Sequence, residues 1–103
     1  MKVLASALTA LALTAITAAP ALANQDLAQK KGCLACHGVD NKLVGPSYKD
    51  VAKKYKGQKG ADAQLVQKVI KGGAGTWGPV PMPANNVTEA EAKQLVAWVL
   101  SLK

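Results

Sequence analysis

Cys33-Leu34-Ala35-Cys36-His37 decides how the rest of this chain is read. Two thiols three residues apart, followed directly by an imidazole, form the C-x-x-C-H pattern to which c-type haem is covalently attached. The thiols add across the vinyl groups of the haem, and their spacing puts both sulfurs along one edge of the ring. The adjacent imidazole then falls beneath the iron and coordinates it. His37 is the only histidine of the chain, and Cys33 and Cys36 are its only cysteines.

Other chemistries use part of this pattern. A thioredoxin-like redox pair sits in a βαβ context, but no strand pattern surrounds this one. Tetrahedral zinc takes four ligands, and a second Cys/His pair is missing. A short-loop structural disulfide in an exported protein is the third alternative.

The segment before the motif divides in two. Met1-Lys2 is a short positive start, Val3 to Ala19 is apolar, Pro20 breaks the run, and Ala21-Leu22-Ala23 is an A-x-A cleavage site. Residues 1–23 therefore read as a secretory signal, with an uncleaved membrane anchor as the alternative, and residues 24–103 as one domain. Export to the bacterial periplasm suits the motif, because haem is attached there after translocation.

Removing the signal leaves 80 residues, a size at which a core commonly needs a disulfide, a metal or another staple. The chain has no phenylalanine, two tryptophans and two tyrosines. A haem would supply the missing apolar volume at the centre of the core. All 13 basic residues are lysines against 6 acids; without Lys2 the mature polypeptide carries +6. Nucleic-acid binding is one reading of such a balance, but arginine is absent and nothing cradles phosphate. A lysine-rich surface that steers encounter with an acidic partner is the other.

The remaining pattern is helical, with glycine and proline between the helices. Helices are expected over about Asp26 to Lys31, Tyr48 to Lys56 after a Ser47 cap, Ala61 to Lys71 stopped by Gly72-Gly73, and from Thr88 to the end of the chain. The last opens on a capping box, Thr88-Glu89-Ala90-Glu91. Its apolar stripe is Ala92, Leu95, Val96, Val99 and Leu102, with Trp98 near the edge. Nothing reads as a strand, so the fold class is all-α.

Between the last two helices, Gly75-Thr76-Trp77-Gly78-Pro79-Val80-Pro81-Met82-Pro83 holds three prolines at alternate positions, which fix φ and remove amide donors. Met82 is the only methionine besides Met1. With no second histidine, the other axial ligand falls to Met82, to a lysine or tyrosine, or to none, and the rigid frame favours Met82. An ordinary gap-filling methionine is the alternative. His/Met ligation raises the haem potential, as an electron carrier at the oxidising end of a respiratory chain requires. The indole N–H of Trp77 needs an acceptor if buried, and a propionate offers one.

The segments KGCLACHGVD, KLVGPSYKDVAKKY, WGPVPMPANNV and EAKQLVAWVLSLK, in this order and spacing, resemble the small bacterial class I cytochromes c of the cytochrome c-551 (c8) type from denitrifying bacteria. The resemblance implies about four short helices around one covalent haem c, with the first and last helices crossing near it. It implies His37 and Met82 as axial ligands. Pro46 would accept from the His37 ring, Asn85 would bond the Met82 sulfur, and Trp77 would donate to a propionate. Lys68 stands where relatives often carry arginine near a propionate, keeping the charge without the planar fork. It further implies a monomeric periplasmic shuttle of single electrons, not an enzyme. Its donor would be a cytochrome bc1 complex and its acceptor nitrite reductase or a terminal oxidase. An open-site haem enzyme or gas sensor and an exported thiol oxidoreductase are the rival readings.

Overall fold

The computed structural model describes residues 20–103. Four helices follow in order: α1 Pro20–Lys30, α2 Tyr48–Tyr55, α3 Ala61–Lys71 and α4 Glu89–Ser101, with a short 3-10 turn at Cys33–Ala35. Among the described residues there is no strand, only two isolated backbone pairs, His37 with Lys42 and Gly73 with Met82. No described helix is long and apolar enough to cross a membrane. The signal-segment reading falls mostly on residues 1–19, outside the described residues.

The helix expected to begin at about Asp26 already runs at Pro20, the first described residue. The Ala-Leu-Ala after Pro20 is a strong helix former. Small residues that suit a cleavage site thus also suit a helix.

Helix α2 forms where Ser47, itself buried, accepts the Asp50 amide at 3.1 Å. Tyr48, Val51, Ala52 and Tyr55 are buried at i, i+3, i+4 and i+7, one face of a helix. At its other end the Gln58 side-chain amide donates to the Lys54 carbonyl at 2.7 Å, satisfying an orphan of the last turn. Helix α3 buries Val66, with Leu65, Val69 and Ile70 half-buried beside it.

The capping box of α4 is closed in both directions. Thr88 Oγ1 accepts the Glu91 amide at 3.1 Å, and Glu91 Oε1 accepts the Thr88 amide at 2.9 Å. The other carboxylate oxygen of Glu91 meets Lys31 Nζ at 3.3 Å, just after α1. One side chain therefore starts α4 and ties it to the end of α1.

Helices α1, α2 and α3 all pack on α4. The main core joins Ala28 of α1, Tyr48, Val51 and Tyr55 of α2, Ala61 of α3, and Leu95, Trp98 and Val99 of α4. Trp98 corrects the sequence reading: it is central, 4 % exposed, with the Tyr48 ring edge-on at 5.5 Å. A stripe read from one period assumes one buried face, whereas α4 is flanked by three helices and buries more of its circumference.

The Glu91 carboxyl titrates below the usual range, chiefly because it accepts the Thr88 amide and then because Lys31 lies beside it. A carboxylate with a depressed folded pKa stabilises the fold above its unfolded value and loses that contribution as pH falls through the folded one. Glu91→Gln keeps a side chain able to cap but has no charge to lose. Urea unfolding at pH 7 and pH 3 is expected to show a smaller acid-induced loss of stability in the variant than in the parent.

Candidate functional site

The motif is held by its own backbone. The Cys33 carbonyl accepts both the Cys36 amide at 3.2 Å and the His37 amide at 3.0 Å. The Gly45 amide then returns to the Cys36 carbonyl at 2.7 Å, folding the following loop back under the histidine. The chain enters α2 with two further bonds, Tyr48 to the Gly38 carbonyl and Lys49 to the Val39 carbonyl. Motif, loop and α2 thus form one unit.

Within it the imidazole is fixed on three sides. His37 Nδ1 lies 2.7 Å from the Pro46 carbonyl oxygen, so this nitrogen carries a proton and, in the neutral ring, the lone pair falls to Nε2. The Tyr48 ring stacks on the imidazole at 4.9 Å with planes 16° apart. A Cβ built on Gly45 would lie 2.6 Å from His37 Cε1, so the backbone passes under the ring where only glycine fits. Gly45→Ala is expected to displace the imidazole and to destabilise the protein by ~1–3 kcal/mol, the usual cost of overpacking. Denaturant unfolding and the proton chemical shifts of the His37 ring check it.

Met82 is positioned by the loop between α3 and α4. Its amide donates to the Gly73 carbonyl at 2.8 Å and its carbonyl accepts the Gly73 amide at 2.9 Å. Gly72, with φ 74°, lets the loop close this tightly: a Cβ there would meet the Met82 carbonyl oxygen and the Pro83–Ala84 peptide. Asn85 ties the loop to α3, its amide donating to the Val69 carbonyl at 2.8 Å and to the Pro83 carbonyl at 3.3 Å.

Between these two assemblies lies a cleft of about 520 Å³. Cys33, Cys36, His37, Pro46, Lys68, Trp77 and Met82 all line it, and Val51, Tyr55, Leu65, Val69, Leu95, Val96 and Val99 make its apolar wall. The cleft brings together seven of the eight residues singled out from the sequence. Asn85 is the exception: with both amide hydrogens on carbonyl oxygens, it supports the Met82 loop from behind and does not bond the Met82 sulfur as expected.

Trp77 also differs from a simple core residue. It is 45 % exposed at the rim, with Lys54 Nζ 5.4 Å from its ring centroid. Tyr48, stacked between the site and the core, was not singled out; its spacing from Val51 and Tyr55 along α2 signals burial but not the ring it meets.

The lining fits an apolar prosthetic group. The volume lies within the roughly 300–1,000 Å³ typical of cofactor sites. Cys33 and Cys36 are free thiols, with no disulfide between them. Burial pushes the Cys33 thiol up, despite a hydrogen bond with Tyr48, the opposite of what an activated redox thiol requires. Among the described residues no three His, Cys, Asp or Glu side chains converge on a metal position. One imidazole nitrogen and one thioether remain as donors, which suits haem iron.

The Cytochrome c family profile matches residues 20–103. The chain belongs to the cytochrome c family. Its relatives include cytochrome c-552 of Hydrogenobacter thermophilus, 60 % identical over 81 residues and covering 79 % of this chain and 83 % of that one. Cytochrome c-551 of Pseudomonas aeruginosa is 56 % identical over 77 residues, covering 75 % and 74 %. The crystal structure of Nitrosomonas europaea cytochrome c552 superposes with a TM-score of 0.74 at 49 % identity, covering 77 % of this chain and 99 % of that one.

The all-α architecture is therefore that of a small class I cytochrome c, and the c-551 resemblance extends over most of the chain. This cytochrome takes covalent haem c as its cofactor and is an electron carrier, not an enzyme. Its redox work implies redox partners.

Proposed function

We propose that this cytochrome is a periplasmic one-electron shuttle in which Cys33 and Cys36 carry haem c as thioethers and His37 and Met82 supply the two axial donors. The observation that carries this reading is the shared cleft, where both thiols, the oriented imidazole and the thioether are gathered along one apolar wall. Haem, once bound, supplies an iron that exchanges single electrons. Pro46 and Tyr48 hold the His37 ring so that Nε2 is presented without a change of tautomer. The Gly73–Met82 backbone pair and Asn85 keep the thioether in place in either charge state. Trp77 and Lys68, both on the cleft wall, are the groups suited to receive the propionates. With both axial donors supplied by the chain, no substrate needs access to the metal.

Residues 1–23 are the export signal in this reading, and 24–103 the mature, monomeric domain. The donor is a bc1-type complex and the acceptor nitrite reductase or a terminal oxidase, as in denitrifying respiration. Leu43, Val44 and Val80 are more than half exposed, and Val44 and Val80 line the cleft, apolar surface for a small, transient redox contact. The lysine-rich surface, +7 in formal charge over the whole chain, steers the approach. The rate with an acidic partner is expected to fall as the Debye length shrinks from about 30 Å at 0.01 M to about 8 Å at 0.15 M salt. A flat profile assigns docking to the apolar surface alone.

Two measurements test the proposal. The mass of protein exported from cells competent in haem attachment should exceed that of the polypeptide by one haem, with no free thiol after denaturation. The ferric protein should show the weak near-infrared sulfur-to-iron absorption. A high-spin iron that binds carbon monoxide readily would replace the carrier with an open-site haem protein.

A further inference from the structure

The cleft has two walls, and the hydrogen bonds of the loop that carries Met82 stay within the loop or reach α3. Gly73 pairs with Met82, Gly75 donates to the Gly78 carbonyl at 2.9 Å, and Asn85 reaches Val69 of α3. Among the described residues no hydrogen bond or ion pair joins residues 73–81 to α2. The contact that does so is the Lys54 ammonium over the Trp77 ring, at 5.4 Å. Lys54 projects from the last turn of α2, where Gln58 fixes its carbonyl. The same ammonium lies 5.9 Å from the Tyr55 ring, and Tyr55 is buried and lines the cleft.

We propose that Lys54 is a positioning residue for the axial methionine, closing the cleft by clamping Trp77 and with it the Met82 loop onto α2. The inference rests on Met82 being an iron ligand. A cation over an aromatic face is attracted by the ring quadrupole, and at a partly exposed ring this changes an equilibrium roughly two- to five-fold. The equilibrium in question is opening of the loop, which must precede capture of an external ligand by the iron.

The test is imidazole binding to the ferric haem protein, followed in the visible spectrum, for the parent, Lys54→Gln and Lys54→Arg. Lys54→Gln is expected to bind imidazole roughly two- to five-fold more tightly than the parent, and Lys54→Arg, which keeps a cation able to stack, to match the parent. Because Lys54 also complements the end of α2, the pair is repeated in a Trp77→Leu background, where the Lys54→Gln effect should vanish. A change of the same size in both backgrounds, or none in either, overturns the clamp.

Hydrogen exchange of the Gly75 amide gives a second readout that needs no iron ligand. It should quicken in Lys54→Gln by the same factor, while the midpoint of global unfolding stays close to that of the parent; unchanged exchange overturns the clamp. A parent lacking the sulfur-to-iron band instead defeats the Met82 assignment and leaves the exchange experiment to decide the clamp.

Discussion

Met82→Ala lowers the reduction potential by more than about 60 mV, the one-electron equivalent of a tenfold shift in redox equilibrium. Axial ligation sets haem potentials over roughly 0.8 V, and a thioether raises the potential in cytochromes c. The substitution is conservative for the fold. Met82 is held through its backbone, by two bonds to Gly73 of 2.8 and 2.9 Å, and alanine retains both. The prolines on either side remain, and Asn85 still spans from Val69 to Pro83. What is lost is one sulfur donor. Potentiometric titration measures the shift, and the near-infrared band should disappear with it. An unchanged potential means that another side chain binds the iron, with Lys68 on the same wall the first to examine.

A chain that never receives haem is expected not to fold cooperatively. In Cys33→Ala/Cys36→Ala prepared without haem no prosthetic group is present, yet the cleft wall of Val51, Tyr55, Leu65, Val69, Leu95, Val96 and Val99 still needs an apolar partner. Four of these residues, Val51, Tyr55, Leu95 and Val99, also belong to the main core. Left without its partner, this cleft of about 520 Å³ forfeits packing comparable to several large-to-small core substitutions, each costing about 2–5 kcal/mol. Collapse and water entry reduce that loss, but the whole stability of a domain is only about 5–15 kcal/mol. Urea unfolding followed by circular dichroism should give a broad, non-cooperative change in place of a sigmoid. A sharp transition in the haem-free variant would mean that the helices close on one another without the cofactor.

What could be read from the sequence was local. The capping box at Thr88 and Glu91, the Ser47 cap and the end of α3 before Gly72 depend on residues within one turn of each other, and all stand in the structure. The C-x-x-C-H spacing is local in the same sense. Contacts between distant segments were not readable. Lys54 and Trp77 are 23 positions apart, and nothing in either neighbourhood marks them as partners. Trp98 was placed at an edge because its burial depends on α2 approaching α4 from a second side. Asn85 was given the sulfur as partner through the family resemblance, but the nearby carbonyls of Val69 and Pro83 take both its hydrogens. That α1 includes residues 20–25 was not readable because one short sequence, Ala-Leu-Ala, satisfies two local rules at once.

The run of rings from His37 through Tyr48 to Trp98 has a consequence for how such a molecule can diverge over time. Trp98 is embedded in the helix that every other helix leans on, so exchanging it disturbs the seat of Tyr48, and Tyr48 in turn abuts the imidazole. Thermal robustness and electronic tuning are therefore not independent traits here. A lineage adapting this protein to heat through its interior would shift its redox properties as well, and selection on one must be compensated at the other.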